Sequence, residues 1–179
     1  MWFPDKEGFG EPWFPEKIIK FIIIIIYLKM KMPNLSTSLF IMFITSFLIQ
    51  YYIMSWIMTN SFENVTNSVG KFYISFIMGL FMVLVELFMQ ESISIKNITL
   101  YILVISLIGI FIYFYRKQMW IGDKEYVSEM IEHHSMAVLT SEEILKKTDN
   151  PKVTNLATNI IEAQTREIEE MKELISTYA

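Results

Sequence analysis

His133 and His134 are the only two histidines of the chain, and they are adjacent. Met130 stands three residues before His133 and four before His134, and Met136 follows His133 by three. Residues at these offsets share a flank of a helix, so thioether sulfur and imidazole nitrogen can gather there. That donor pair suits a soft cation, Cu(I) or Ag(I), and ligation by neutral imidazole predicts release of the metal below about pH 6.5. The same residues also fit a plainer role, with His134 a hydrogen-bonded core side chain and His133 its solvated neighbour. Cysteine is absent, which excludes disulfides, thiolate zinc sites and Cys-x-x-Cys redox chemistry. A di-iron carboxylate bundle needs Glu-x-x-His, but Met130 and Ile131 occupy the positions three before the histidines. No His-Glu-x-x-His, no nucleophile-base-acid set and no glycine-rich phosphate loop occurs, so neither catalytic nor cofactor-binding residues are assigned and no enzyme is expected.

The histidines must be positioned by an amphipathic hairpin. A helix is expected from an Asp123 N-cap to about Lys147, then a turn through Thr148, Asp149 and Asn150, then a second helix capped by Asn150, opened by Pro151 and running to about Thr177. Glu162 and Arg166 are spaced to pair along it. In helical register the first helix presents Val127, Ile131, His134, Val138, Ser141 and Leu145 in one seam, and the second presents Ala157, Ile161, Gln164, Ile168, Met171 and Ile175. Antiparallel pairing would bring His134 level with Gln164, and a buried imidazole needs such a partner.

Ahead of the hairpin the chemistry changes. The chain is 53% hydrophobic, 15% aromatic and only 19% charged, and most of that charge follows Arg116. Three apolar stretches, 35–58, 72–89 and 98–115, reach or approach the ~20 residues that cross a bilayer as a helix, with polar loops between them and aromatic residues gathered at their ends. The lipid bilayer is therefore the expected partner; the net charge of −4, concentrated in the hairpin, argues against nucleic acid. Five basic residues (Lys17, Lys20, Lys29, Lys31, Lys96) flank one side of the spans against three (Lys71, Arg116, Lys117) on the other, which places the hairpin outside the cytoplasm. If the Ile-rich stretch 18–32 also crosses, the topology inverts; its lysines favour a short interfacial or buried helix. Before it, Trp2-Phe3-Pro4-Asp5-Lys6 is nearly repeated as Trp13-Phe14-Pro15-Glu16-Lys17, which fits either an interfacial anchor or an unstructured tail. The organisation is thus an N-terminal segment over 1–33, a membrane domain over 34–117 and a helical hairpin over 118–179. Within the spans, Glu86 is read as snorkelling toward Lys96 or the interface, and Met42, Met54, Met58, Met78, Met82 and Met89 as ordinary apolar gap-fillers. Asn34-Leu35-Ser36, Asn64-Val65-Thr66 and Asn97-Ile98-Thr99 match the glycosylation sequon.

The run Met130-Ile131-Glu132-His133-His134-Ser135-Met136-Ala137, followed by Pro151-Lys152-Val153, Leu156-Ala157, Ile160-Ile161-Glu162-Ala163-Gln164, Glu167-Ile168 and Met171, resembles the domain of unknown function 305 family over the last third of the chain. A membrane-anchored subgroup of that family carries hydrophobic helices ahead of the domain, as here. The resemblance implies a ferritin-like helical domain, some of whose periplasmic members bind copper or silver through Met and His, and it points to His133, His134, Met130 and Met171. The chain departs from the family pattern at Glu132, where Pro is frequent, and at Thr140, where Met is frequent. The expected fold is all-α, transmembrane helices followed by an antiparallel two-helix hairpin that forms half of a ferritin-like bundle. One hairpin has little core of its own, so a homodimer is expected to complete a four-helix bundle. The competing function is structural, with the hairpin mediating oligomerisation and the His134 level fixing register.

Overall fold

The computed structural model describes residues 34–90 and 98–178, with Lys20, Ile23 and Ile24. The repeated aromatic motif, most of the Ile-rich stretch and Lys96 lie outside the described residues. Among the described residues the fold is all-α, and 34–90 and 98–178 hold five principal helices: α1 (Leu35–Met58), α2 (Val69–Gln90), α3 (Ile98–Arg116), α4 (Asp123–Leu145) and α5 (Pro151–Ser176).

The first three are long and apolar enough to cross a membrane. Asn34 caps α1 by accepting a hydrogen bond from Thr37 N at 2.9 Å. Near its far end, Ile49–Met54 is wound as a π-helix, a local widening that recurs at functional sites. α2 begins three residues earlier than the expected 72, because Ser68 Oγ accepts from Lys71 N at 3.0 Å and so draws Val69, Gly70 and Lys71 into the first turn. Leu80, Val83 and Leu87 of α2 pack on Val104 and Ile108 of α3, with Leu39 and Phe43 of α1 closing the other side. At Gly79 the backbones come close: a Cβ there would stand 2.8 Å from the Phe43 ring and 3.1 Å from the Phe43 carbonyl. The outward faces carry exposed Phe40, Phe81, Phe88, Ile102 and Ile105, as lipid-facing helices do.

Glu86 does not reach the interface, and the alternative of reaching toward Lys96 lies outside the described residues. It is 1% exposed and accepts a hydrogen bond from Ser38 Oγ, because antiparallel packing sets the first turn of α1 beside the last turns of α2. A carboxylate with an internal hydroxyl donor has less reason to reach for water.

α4 and α5 form the expected hairpin. Asn150 accepts from Lys152 N at 3.0 Å and Pro151 takes the first helical position. The N-cap of α4 is Gly122 rather than Asp123, which sits in the first turn, where its charge suits the helix dipole. Arg166 pairs with Glu170 at 3.8 Å instead of with Glu162. The core between the helices is the one read from periodicity, with Ile131, Val138 and Ile168 buried and Met171 and Ile175 packed against them. The connector from α3 is unusual: Gln118 and Trp120 both adopt left-handed backbone (φ 50° and 57°), while Tyr73 OH donates to Met119 O at 2.8 Å and ties the connector to α2. Non-glycine residues hold that conformation only where their surroundings fix it.

Candidate metal centre

Successive residues of a helix point about 100° apart, so adjacent histidines cannot face the same neighbour. His134 continues the Ile131–Val138 stripe toward α5. Its Nδ1 lies 3.2 Å from Glu167 Oε2, and Gln164 Nε2 donates to that same oxygen at 3.2 Å. His134 and Gln164 therefore both lie beside Glu167, which accepts from Gln164 and stands at ion-pair distance from His134, although His134 Nδ1 makes no hydrogen bond. His133 faces the other way, toward the ends of the membrane helices.

That second face of α4 is polar and buried. Ser128, Glu129 and Ser135 are each less than a tenth exposed, although sequence periodicity marks none of them as core. Three contacts dock the face. Lys71, in the first turn of α2, pairs with Glu132 at 2.8 Å, donates to Thr66 O at 2.6 Å and lies 4.9 Å from the centre of the Tyr51 ring. Glu132 also accepts from Thr66 N at 2.6 Å and from Ser55 Oγ of α1 at 3.0 Å. Ser135 Oγ accepts from Asn60 N at 2.9 Å and donates to Asn60 Oδ1 at 2.6 Å. Asn64, the acceptor of the second sequon, is buried in the same interface, its Nδ2 donating to Asn60 Oδ1 at 2.8 Å.

Beside this clamp lies a half-open cavity of about 150 Å³. α4 contributes Glu129, Glu132, His133 and Met136 to its wall, α1 contributes Gln50, Met54, Ser55 and Met58, and α2 contributes Lys71 and Ser75. His133 is half exposed, with Nε2 3.9 Å from Glu129 Oε1, an ion-pair separation. Pairing with the Glu129 carboxylate outweighs the opposing desolvation and raises the His133 pKa above its ordinary value. Glu129 is 8% exposed; Oε1 accepts from Tyr115 OH at 3.2 Å, and buried Oε2 has no hydrogen-bond partner. Gly70 makes room for that carboxylate, since a Cβ there would meet Oε2 at 1.8 Å.

Residues 122–178 match the family model described as Domain of unknown function (DUF305). Over 141 residues the chain is 33% identical to Uncharacterized protein L153 of Acanthamoeba polyphaga mimivirus, an alignment covering 78% of this chain and 92% of the relative. The chain belongs to the DUF305 family. No solved structure matches it. The alignment of 141 residues is longer than the segment 122–178, so the likeness extends beyond the DUF305 match.

Of the five residues singled out from the sequence, the structure brings His133 and Met136 to one cavity. His134 is turned to Glu167, Met171 is packed on the hairpin core, and half-buried Met130 is outside the cavity wall. Among the described residues no group of three His, Asp or Glu side chains could hold a metal ion. The donors at the cavity are instead an imidazole and three thioethers beside carboxylates, a set that fits a soft cation better than a hard one. Sequence reasoning gave Glu129 and Lys71 no place at this cavity and read Met54 and Met58 as apolar filler. The signal for Glu129 was its position one turn before His133; that of the methionines was their recurrence in the spans, outweighed because thioethers inside an apolar helix read as filler.

Proposed function

We propose that this DUF305 protein is a multi-pass membrane protein that binds a soft monovalent metal ion, Cu(I) or Ag(I), through His133 and Met136, with its hairpin held outside the cytoplasm. The observation that carries the reading is the convergence of an imidazole and thioether sulfurs on one cavity, with half-exposed His133 open to solvent. The bias of basic residues supports the sidedness. Anaerobic Cu(I) and Ag(I) titration of the full chain in detergent, against a competing chelator, tests it. Stoichiometric binding by the native chain, lost in His133→Ala and kept in His134→Ala, is the expected result. Equal binding by native protein and His133→Ala would refute it.

A second reading, assembly through the hairpin, has one observation in its favour. Leu156 and Leu174 are exposed on α5 and lie 18 residues, or five helical turns, apart on one face. A homodimer would bury that face, because the membrane helices already occupy the second face of α4. Sedimentation in detergent of native protein and of a Leu156→Glu, Leu174→Glu variant checks this; a native monomer at every concentration excludes it.

A further inference from the structure

We infer that the metal site is shared between the hairpin and the first membrane helix, with Met54 and Met58 of α1 as thioether ligands alongside His133 and Met136, and with Glu129 as the fixed negative charge that selects a monovalent cation. This rests on the proposed function and adds to it the ligands from the membrane side and the charge of the ion.

Four observations carry it. First, Met54 and Met58 are one turn apart on α1, and both line the cavity that His133 and Met136 line from α4. Secondly, the wall is held rather than incidental. Ser55 follows Met54, Glu132 precedes His133, and Ser55 Oγ donates to Glu132 at 3.0 Å, so the hydrogen bond that joins the helices places their neighbours on opposite sides of one space. Thirdly, the π-helical turn of α1 ends at Met54 and contains Gln50, another lining residue, so the one irregular stretch of this span abuts the cavity. Fourthly, once His133 is the neutral imidazole that ligates a metal and no longer offsets Glu129, the charges do not cancel without an occupant. Lys71 balances Glu132, which leaves Glu129 as the remaining carboxylate, buried to more than nine-tenths with Oε2 unpartnered. One positive charge neutralises it, whereas a divalent ion would leave excess charge in a partly desolvated space. Thioethers are neutral and soft, so they add affinity for Cu(I) or Ag(I) without adding charge.

The test uses the full chain in detergent, Ag(I) as the probe, chelator competition for affinity and Ag K-edge absorption for the sulfur count. Met54→Leu with Met58→Leu conserves volume and costs the fold little. It is expected to remove sulfur scatterers and weaken Ag(I) by at least about tenfold, while Met42→Leu on the same helix changes neither quantity. Glu129→Gln is expected to keep the sulfur count and weaken Ag(I) by about tenfold. Docking of each variant is verified through the reactivity of a cysteine placed at Ser135, whose side chain is fully buried in the docked state. If Met54→Leu/Met58→Leu docks normally and keeps both affinity and sulfur count while His133→Ala loses the metal, the shared site is wrong and the hairpin alone is the binder. If the native chain binds no Ag(I), both this inference and the proposed function are overturned.

Discussion

Lys71→Met is the most informative perturbation of the clamp. The Lys71 and Glu132 side chains are 9% and 17% exposed, so the pair is largely shielded from water. Removing one partner of such a pair typically costs ~3–5 kcal/mol, because the remaining charge stays buried. Glu132 keeps two donors, Thr66 N and Ser55 Oγ, which puts the expected cost at the lower end, about 3 kcal/mol. That corresponds to roughly a hundredfold rise in the undocked population of the hairpin. The chain has no cysteine, so Ser135→Cys supplies a single thiol at a position with 0% exposure. Its alkylation rate under native conditions then tracks undocking. Lys71→Met in that background should speed alkylation roughly a hundredfold, and Lys71→Met with Glu132→Leu should recover much of the loss, since both charges are gone. An alkylation rate unchanged by Lys71→Met would refute the ion pair as the fastening of the hairpin.

Gly70→Ala should force the Glu129 carboxylate from its place, because the new Cβ would lie 1.8 Å from Oε2; the measurement is a lower melting temperature together with faster Ser135→Cys alkylation. Gly79→Ala should separate α1 from α2 at a cost of ~1–3 kcal/mol, read by denaturant titration in micelles, because the Phe43 carbonyl cannot yield as a ring can. The stabilising pairing of His133 with Glu129, near Glu132 and its partner Lys71, should be fully present below about pH 6.5 and disappear as pH rises through the elevated pKa of the docked state. Melting temperature should accordingly fall across that window in the metal-free native chain, and His133→Gln should flatten the profile.

The all-α fold, the three apolar helices and the hairpin seam were legible because each depends on a period or a length that sequence displays directly. Ile131, Val138 and Ile168 fall where helical spacing puts them. The second face of α4 was not legible, because a polar stripe of Ser128, Glu129, Glu132 and Ser135 reads as solvated until a polar loop is brought against it. The loop around Asn60 and Thr66 does that, from more than sixty residues away in the chain. The burial of Glu86 was not legible for a related reason: its donor, Ser38, lies 48 residues earlier, and only antiparallel packing brings the two together. Of the histidines, the sequence placed His134 in the seam but not its carboxylate partner, since Glu167 sits beside the seam rather than in it.

The connector between α3 and α4 leaves little slack. Two left-handed residues and the tether from Tyr73 to Met119 make a short, stiff joint between a bilayer-length helix and the hairpin. A helix of 19 residues spans about 28 Å, close to the thickness of a hydrocarbon core, so it adjusts its tilt when that thickness changes. Such a joint passes the tilt on to α4 instead of absorbing it. On the proposed reading as a membrane protein, bilayer thickness becomes a mechanical input to the space between His133 and α1, and the Ser135→Cys alkylation rate should shift between vesicles of short and long acyl chains.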